Sequence, residues 1–417
     1  MNRPSQRVLA AALAASIGLG LAGCVPNQPD AEAIDVAIAD GACDVAVAQA
    51  TAGTVEFTMV NSGSQVDEFE IFADDQLQIV AERENLANDG QPVSLRVQLQ
   101  PGTYYTACRP GMVGQPQGIA EFTVSGEAFA VDADEQTAID AYVAYTKSQV
   151  SELVTAVAAF TDAYVAGDDD GARRLFPLAR QYYERIEPTA EQFGDLDPAI
   201  DYRLPGAVAE LDEFTGFHRI ELDLWLDEGL SNYQGETYVD EAGAQLAYLD
   251  LTDLEGRQVF APLDADGRAY YADRLVADVQ SLYDLVFSDD FTLSISDISN
   301  GAVGLLDEVA APDGKLPGEE DEFSHTDLYD FLANVEGAQV AFESVRDLAE
   351  ASDDGTALAD DLETEFDAMT ALLATYGSFD EGFVSYDTVG DDERNALAAQ
   401  LNALAEPLSQ LTAVIVE

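Results

Sequence analysis

From residue 34 to 126 apolar and polar side chains alternate in short runs, as in Thr54-Val55-Glu56-Phe57-Thr58-Met59-Val60 and Val93-Ser94-Leu95-Arg96-Val97-Gln98-Leu99. A period of two puts the apolar members on one face of a strand. Phe69-Glu70-Ile71-Phe72 adds another short run, and Asn61-Ser62-Gly63, Asp89-Gly90 and Pro101-Gly102 punctuate the region as turns. The pattern predicts a small β-sandwich of about seven strands.

After Gly126 the period changes to that of a helix. Val150, Leu153, Val154, Val157, Phe160 and Tyr164 form one apolar face. Leu275, Val276, Val279, Leu282, Tyr283 and Val286 form a second, and Leu328, Phe331, Leu332, Val335, Phe342 and Val345 a third; a last helical stretch runs from Glu393 to Ile415. Gly167–Gly171, Gly229–Gly235, Ala311–Glu322 and Ser352–Gly355 read as loops between antiparallel neighbours of a bundle. The expected organisation is a β-sandwich over 34–126, a linker over 127–139 and an all-α bundle over 140–417.

The N-terminus adds an address. Arg3 and Arg7 precede an apolar run from Val8 to Leu21 that closes on Leu21-Ala22-Gly23-Cys24, the order of parts in a secretory signal over 1–23. The ending resembles a bacterial lipobox, which implies lipid attachment at Cys24 and a polar tether over 24–33 holding Pro26 and Pro29. No later segment reaches the about 20 apolar residues of a membrane span, so membrane contact is expected through the anchor alone, outside the cytoplasm. Cys43 and Cys108 remain; in an oxidising compartment a disulfide is the default, with metal ligation by the thiolates as the alternative.

The chain carries 80 acidic against 18 basic residues. Attraction to nucleic acid or an anionic lipid surface is opposed and cationic partners are favoured, although acid spread over every segment also serves solubility in a salty medium.

Against that background the only two histidines, His218 and His325, stand out. His218 and Glu221 are three apart, which places them about 5 to 6 Å apart at Cβ on one helix face. Glu184 and Glu187 make a second pair with the same spacing, and two such helices could offer three carboxylates and an imidazole to a bundle interior, as iron-type centres require. The spacing alone is common in acidic proteins. With Arg185 and Arg219 beside them, the same acids could form surface ion pairs contributing about 0 to 1 kcal/mol each. Pro188 after Glu187 is expected to kink its helix and turn the carboxylate inward. His325 is followed by Asp327 and preceded by Glu319, Glu320 and Asp321; Ser324 or Thr326 as the cap of the following helix is the favoured explanation.

Gly216-Phe217-His218-Arg219-Ile220-Glu221, Tyr183-Glu184-Arg185-Ile186-Glu187-Pro188, Asp195-Leu196-Asp197 with Ile200-Asp201, Ser324-His325-Thr326-Asp327-Leu328-Tyr329-Asp330-Phe331 and Asn334-Val335-Glu336-Gly337 carry a resemblance that extends over about residues 34–417, with Ala81-Glu82-Arg83-Glu84-Asn85 and Leu99-Gln100-Pro101-Gly102 in the small domain. In these motifs the chain resembles the EfeO family of iron-uptake proteins. The resemblance implies a cupredoxin-like β-sandwich followed by an all-α imelysin-like (HxxE) bundle. It implies a non-enzymatic protein that binds iron, as Fe2+ or Fe3+, with copper or zinc as alternatives, and serves a membrane permease together with a haem peroxidase-like partner. The metal ligands it implies are His218, Glu221, Glu184, Glu187 and Asp201, with Glu308 as an addition. Carboxylates with one imidazole suit such ions. A metal near Cys43 and Cys108, with Met112, Glu68 and Glu70 at hand, fits the family only loosely, and residues 34–126 lack the histidines of a blue-copper site.

Two other functions compete. A metallopeptidase of the His-Glu-x-x-His kind needs a Glu directly after the first His and a second His, whereas His218 is followed by Arg219 and no second His stands nearby. A polymer- or carbohydrate-binding envelope protein would line a groove with aromatics such as Tyr182, Tyr183, Tyr202 and Trp225, which at helical spacing are more often core.

Overall fold

A computed structural model describes residues 32–240, 243–289, 291–310, 315–318 and 320–416. The signal, Cys24 and the tether as far as residue 31 lie outside the described residues. Nine strands, rather than about seven, build the first domain: β1 (Glu32–Ala39), β2 (Ala42–Val45), β3 (Gln49–Thr51), β4 (Gly53–Asn61), β5 (Asp67–Phe72), β6 (Ile79–Leu86), β7 (Pro92–Leu99), β8 (Gly102–Cys108) and β9 (Gln117–Ser125). The additional ones are short edge strands, too brief to show a period. Two sheets form, ordered β2-β1-β4-β7 and β3-β9-β8-β5-β6, antiparallel throughout except that β1 lies parallel to β4 and β3 to β9. Ile34, Val36, Phe57, Phe69, Leu95 and Phe122 fill the space between them. The inward positions of β4 alternate as the sequence requires, with Val55, Phe57 and Met59 fully buried.

Cys43 and Cys108 are joined in a disulfide. The bridge consumes both thiolates, so a metal site on these two sulfurs is ruled out in this oxidation state.

The helical domain begins at Ala133, inside the stretch expected as a linker, because Asp132 and Glu135 form a reciprocal capping box there. Its helices are α1 (Ala133–Val165), α2 (Asp169–Glu184), α3 (Leu196–Asp201), α4 (Leu204–Glu210), α5 (Gly216–Leu224), α6 (Leu226–Asn232), α7 (Ala265–Val286), α8 (Ile295–Ala310), α9 (Lys315–Gly318), α10 (Asp327–Ala349), α11 (Asp353–Leu373), α12 (Asp391–Leu408) and α13 (Leu411–Ile415). They pack around two main cores. One joins α1, α2, α5 and α7 through Val150, Val157, Phe160, Phe176, Phe217 and Val279. The other joins the start of α1 to α8, α10, α11 and α12 through Tyr142, Leu306, Phe331, Phe342, Phe366 and Leu404. The 33-residue α1 runs through both, and α2 meets α10 at the seam between them. Among the described residues no helix is long and apolar enough to cross a membrane.

Polar contacts join the two domains. Arg109, directly after Cys108, reaches Glu70 at 2.6 Å on its own sheet and Glu210 on α4. Arg83 pairs with Asp307 at 2.7 Å, and Asn85 donates to the Asp307 carbonyl. Within the helical domain, Gly301 on α8 permits a close approach to the segment after α2, since a Cβ there would lie 1.5 Å from the Pro188 carbonyl oxygen.

Several acids in this frame are protonated more readily folded than unfolded. Burial and the adjacent Glu68 raise the Glu70 carboxyl to about 8 in spite of Arg109, and burial raises Asp67 and Asp297 to about 6. Above their unfolded pKa values the native state binds more protons than the unfolded state, so stability falls as pH rises towards the folded values. A thermal melt at about pH 5.5 should therefore have a higher midpoint than one at about pH 8; equal midpoints would contradict these assignments. Replacing Cys43 and Cys108 together by Ala should cost about 2 to 5 kcal/mol, read as a lower denaturant midpoint under oxidising conditions.

Candidate metal centre

The seam between the two helical cores is filled by charge. Helix α5 can lie there because Gly216 has φ 70° and a Cβ at that position would stand 2.1 Å from the Ile200 carbonyl oxygen. The close approach of α5 to α3 sets His218 against Asp201, with His218 Nε2 3.6 Å from Asp201 Oδ1. Nε2 also lies 3.3 Å from Glu320 Oε1, while Nδ1 lies 2.9 Å from Glu221 Oε2. The other Glu221 oxygen accepts the backbone amides of Phe323 and Ser324, at 3.2 and 2.8 Å. Glu221 is thus fully engaged in fixing the ring and the loop before α10, and Nε2 is the nitrogen turned towards two carboxylates. Asp201, His218 and Glu320 offer ligand atoms within 4.8 Å of one another, as do His218, Glu221 and Asp321. Every one of these residues is buried.

Three cations of the chain stand among these acids, and one of them, Arg203, has its Nε 3.6 Å from Glu320. Arg180 on α2, with no exposed surface, hydrogen-bonds to Asp201 and Glu184 and lies 3.6 Å from Glu320, 3.4 Å from Asp321 and 3.5 Å from Asp330. Lys315 on α9 pairs with Glu187 and lies 3.4 Å from Glu184 and 3.9 Å from Glu320. Asn334 on α10 donates to Glu184 and Glu187 at 2.9 and 2.6 Å. Buried charges without such partners would be strongly destabilising.

These neighbours sort the titrations. Burial pushes Glu320 up, but Lys315, Arg203 and His218 outweigh it and hold the carboxyl well below its ordinary range. Glu184 follows the same pattern through Arg180 and Lys315 and is lowered. Burial and Glu184 drive Glu187 well above its ordinary value, and burial raises Asp201 to about 7 although Arg180 opposes it. For His218, burial and Arg180 favour the neutral ring, yet its bonds to Glu221 and Glu320 and the charge of Asp201 prevail and raise it to about 10. A metal on Nε2 would have to displace that proton.

Of the residues expected from sequence, His218, Glu221 and Asp201 come together in this cluster. Glu184 and Glu187 border it, held by Arg180, Lys315 and Asn334. They do not share a continuous helix as expected: α2 stops at Glu184 and a 3-10 segment, Glu187–Phe193, follows, so Pro188 ends the helix rather than kinking it. The surface ion pairs weighed for this region are not what forms; Arg219 is fully buried with its guanidinium over Tyr271, and Arg185 pairs with Glu336. Glu308 is half-buried on α8 and belongs to neither group of ligand atoms. His325 stands in left-handed backbone at φ 57°, with Nε2 3.7 Å from Glu228. Thr326 occupies the cap position of α10, but its hydroxyl goes to Asp321 instead of the helix, and Asp327 takes the amides of Glu320 and Asp321. Tyr183 and Trp225 pack in the core, which leaves no groove lined by them.

Sequence reasoning missed Arg180, Glu320, Asp321, Asp330 and Lys315. Arg180 carried a faint signal, since it shares an inward α2 face with Phe176, Tyr183 and Glu184. The run containing Glu320 and Asp321 read as a loop between antiparallel neighbours of the bundle. A further trio, Glu68, Glu82 and Glu84, stands where the sandwich meets α8, with Glu70 directly across from Glu82 in the sheet register.

The Imelysin family model matches residues 138–411, and the Cupredoxin-like domain model residues 9–119. The protein called iron uptake system component EfeO in Escherichia coli (strain K12) is 36% identical over 401 residues, covering 93% of both chains, and so is its namesake in Shigella flexneri. The EfeO of Escherichia coli O157:H7 is 35% identical over 398 residues, again with 93% of each chain covered. With both domains matched and the similarity running through nearly the whole length, this chain belongs to the EfeO family.

Proposed function

We propose that this protein is the extracytoplasmic iron-binding component of an EfeUOB-type uptake system, capturing iron at the helical seam and delivering it to a membrane permease. A haem peroxidase-like partner and a lipid anchor at Cys24 complete the proposal. The observation that carries it is the buried group of Asp201, His218 and Glu320, one imidazole nitrogen facing two carboxylates. Oxygen donors with a single imidazole suit iron, and with both domain thiols in a disulfide no thiolate competes for it.

Asp201, His218 and Glu320 are the proposed ligands. Glu221 keeps Nδ1 hydrogen-bonded and so presents Nε2, the carboxylate–histidine arrangement by which an outer residue orients a metal ligand. Glu184 and Glu187, with Lys315 and Asn334, form the charged wall behind, and Glu308 stands on α8 between that wall and the sandwich. The name of the Escherichia coli relative supports uptake as the purpose. A hydrolytic role is disfavoured by chemistry: the sequence holds two histidines, and His325 lies outside both groups of ligand atoms. The polymer-binding alternative loses its aromatic groove to the core.

Isothermal titration of the full chain with Fe2+ under nitrogen and with Fe3+ as a chelate should show tight binding of one of them. His218→Ala should weaken it by more than about 100-fold, and Glu221→Gln by about 10- to 100-fold, as for other residues that orient a ligand. Affinities unchanged in both variants would remove the seam as the capture point.

A further inference from the structure

The carboxylates proposed for the ion already hold a cation belonging to the chain. Asp201 and Glu320, the two carboxylates beside Nε2, face Arg180, which hydrogen-bonds to the first and lies 3.6 Å from the second. An ion on the same oxygens would stand beside a guanidinium in fully buried surroundings, where repulsion is weakly screened. The two occupants exclude each other.

On the other flank of the guanidinium a second set of acceptors is in place. Arg180 Nε lies 3.4 Å from Asp321 Oδ1 and 3.5 Å from Asp330 Oδ1, and it makes no hydrogen bond. Asp321 and Asp330 hydrogen-bond each other, and among the described residues no further side chain bonds the Asp330 oxygens or Asp321 Oδ1. One buried donor is thus left short of a bond that a small displacement towards the Asp321–Asp330 pair would close. Glu184 would remain at the guanidinium's side, and the rings of Phe176 and Phe217, 5.9 and 5.6 Å from Cζ, give the planar group faces to slide across.

Resting on the iron-binding function proposed above, we infer that Arg180 is an internal competitor of the cargo ion. Loading moves its guanidinium from Asp201 and Glu320 onto Asp330 and Asp321, and its return displaces the ion at delivery. Arginine suits the task because it stays charged at every physiological pH, so the competition does not lapse. The residue limits affinity and hastens release, which a carrier needs and a storage site does not.

The test compares the full chain with its Arg180→Met and Arg180→Lys variants, using Fe2+ and Fe3+ alone as probes, by competition against a chelator and by the rate of release to it. Arg180→Met is expected to bind at least about tenfold tighter, which is about 1.4 kcal/mol, and to release more slowly by a similar factor, with Arg180→Lys between it and the parent. A folded Arg180→Met chain that binds equally or more weakly overturns the inference and leaves Arg180 a positioning residue. A parent chain that binds neither ion overturns the iron-binding function itself. Should Arg180→Met fail to fold by circular dichroism, a crystal structure of the iron-loaded parent decides. A guanidinium bonded to Asp330 with the ion on His218 and Asp201 supports the competition, and a guanidinium still on Asp201 with the ion elsewhere refutes it.

Discussion

The helical domain is organised around one guanidinium enclosed by acid. Arg180 comes from α2, and the carboxylates around it come from α2 itself, α3, α10 and the segment before α10. Burying so many carboxylates would be prohibitive without positive charge among them, and burying Arg180 would be equally so without the acids. Helix α3 and the loop holding Glu320 and Asp321 each bury a single large apolar side chain completely, Ile200 and Phe323. The charge they share with Arg180 adds to that packing, and with it comes the placing of His218, whose two nitrogens are held by Glu221 on one and by Asp201 with Glu320 on the other.

The same principle recurs at smaller scale where the domains meet. Glu70 and Glu82 lie directly opposite in a sheet, a pairing that repels unless a cation or a proton intervenes. Arg109 supplies the cation for Glu70 and Glu68 and extends to Glu210 in the helical domain. Acid on the sheet face is therefore a means of attachment as well as a source of charge.

Periodicity made the architecture legible. The faces built on Val150, Leu275 and Leu328 are helices that bury those residues, and the alternation around Phe57 is a sandwich strand. What periodicity did not show was what short elements do: β2 and β3 have four and three residues, and α9 has four, yet α9 delivers Lys315 to the cluster. At the site, a fixed spacing revealed the local pair His218 and Glu221 because both lie on one helix. Glu320 lies 102 residues from His218, and only the folded chain brings them within 3.3 Å. Spacing also suggested that Glu184 and Glu187 act as one pair on one helix, which the end of α2 prevents.

The disulfide has a consequence beyond the sandwich core. It fixes Cys108 at the end of β8, and the next residue, Arg109, is the strut that crosses to Glu210. The alignment of the two domains is therefore anchored to a bond that oxidising conditions favour. Until the two thiols are joined the chain lacks the covalent footing of its interdomain strut, so the finished arrangement depends on the oxidation state of Cys43 and Cys108.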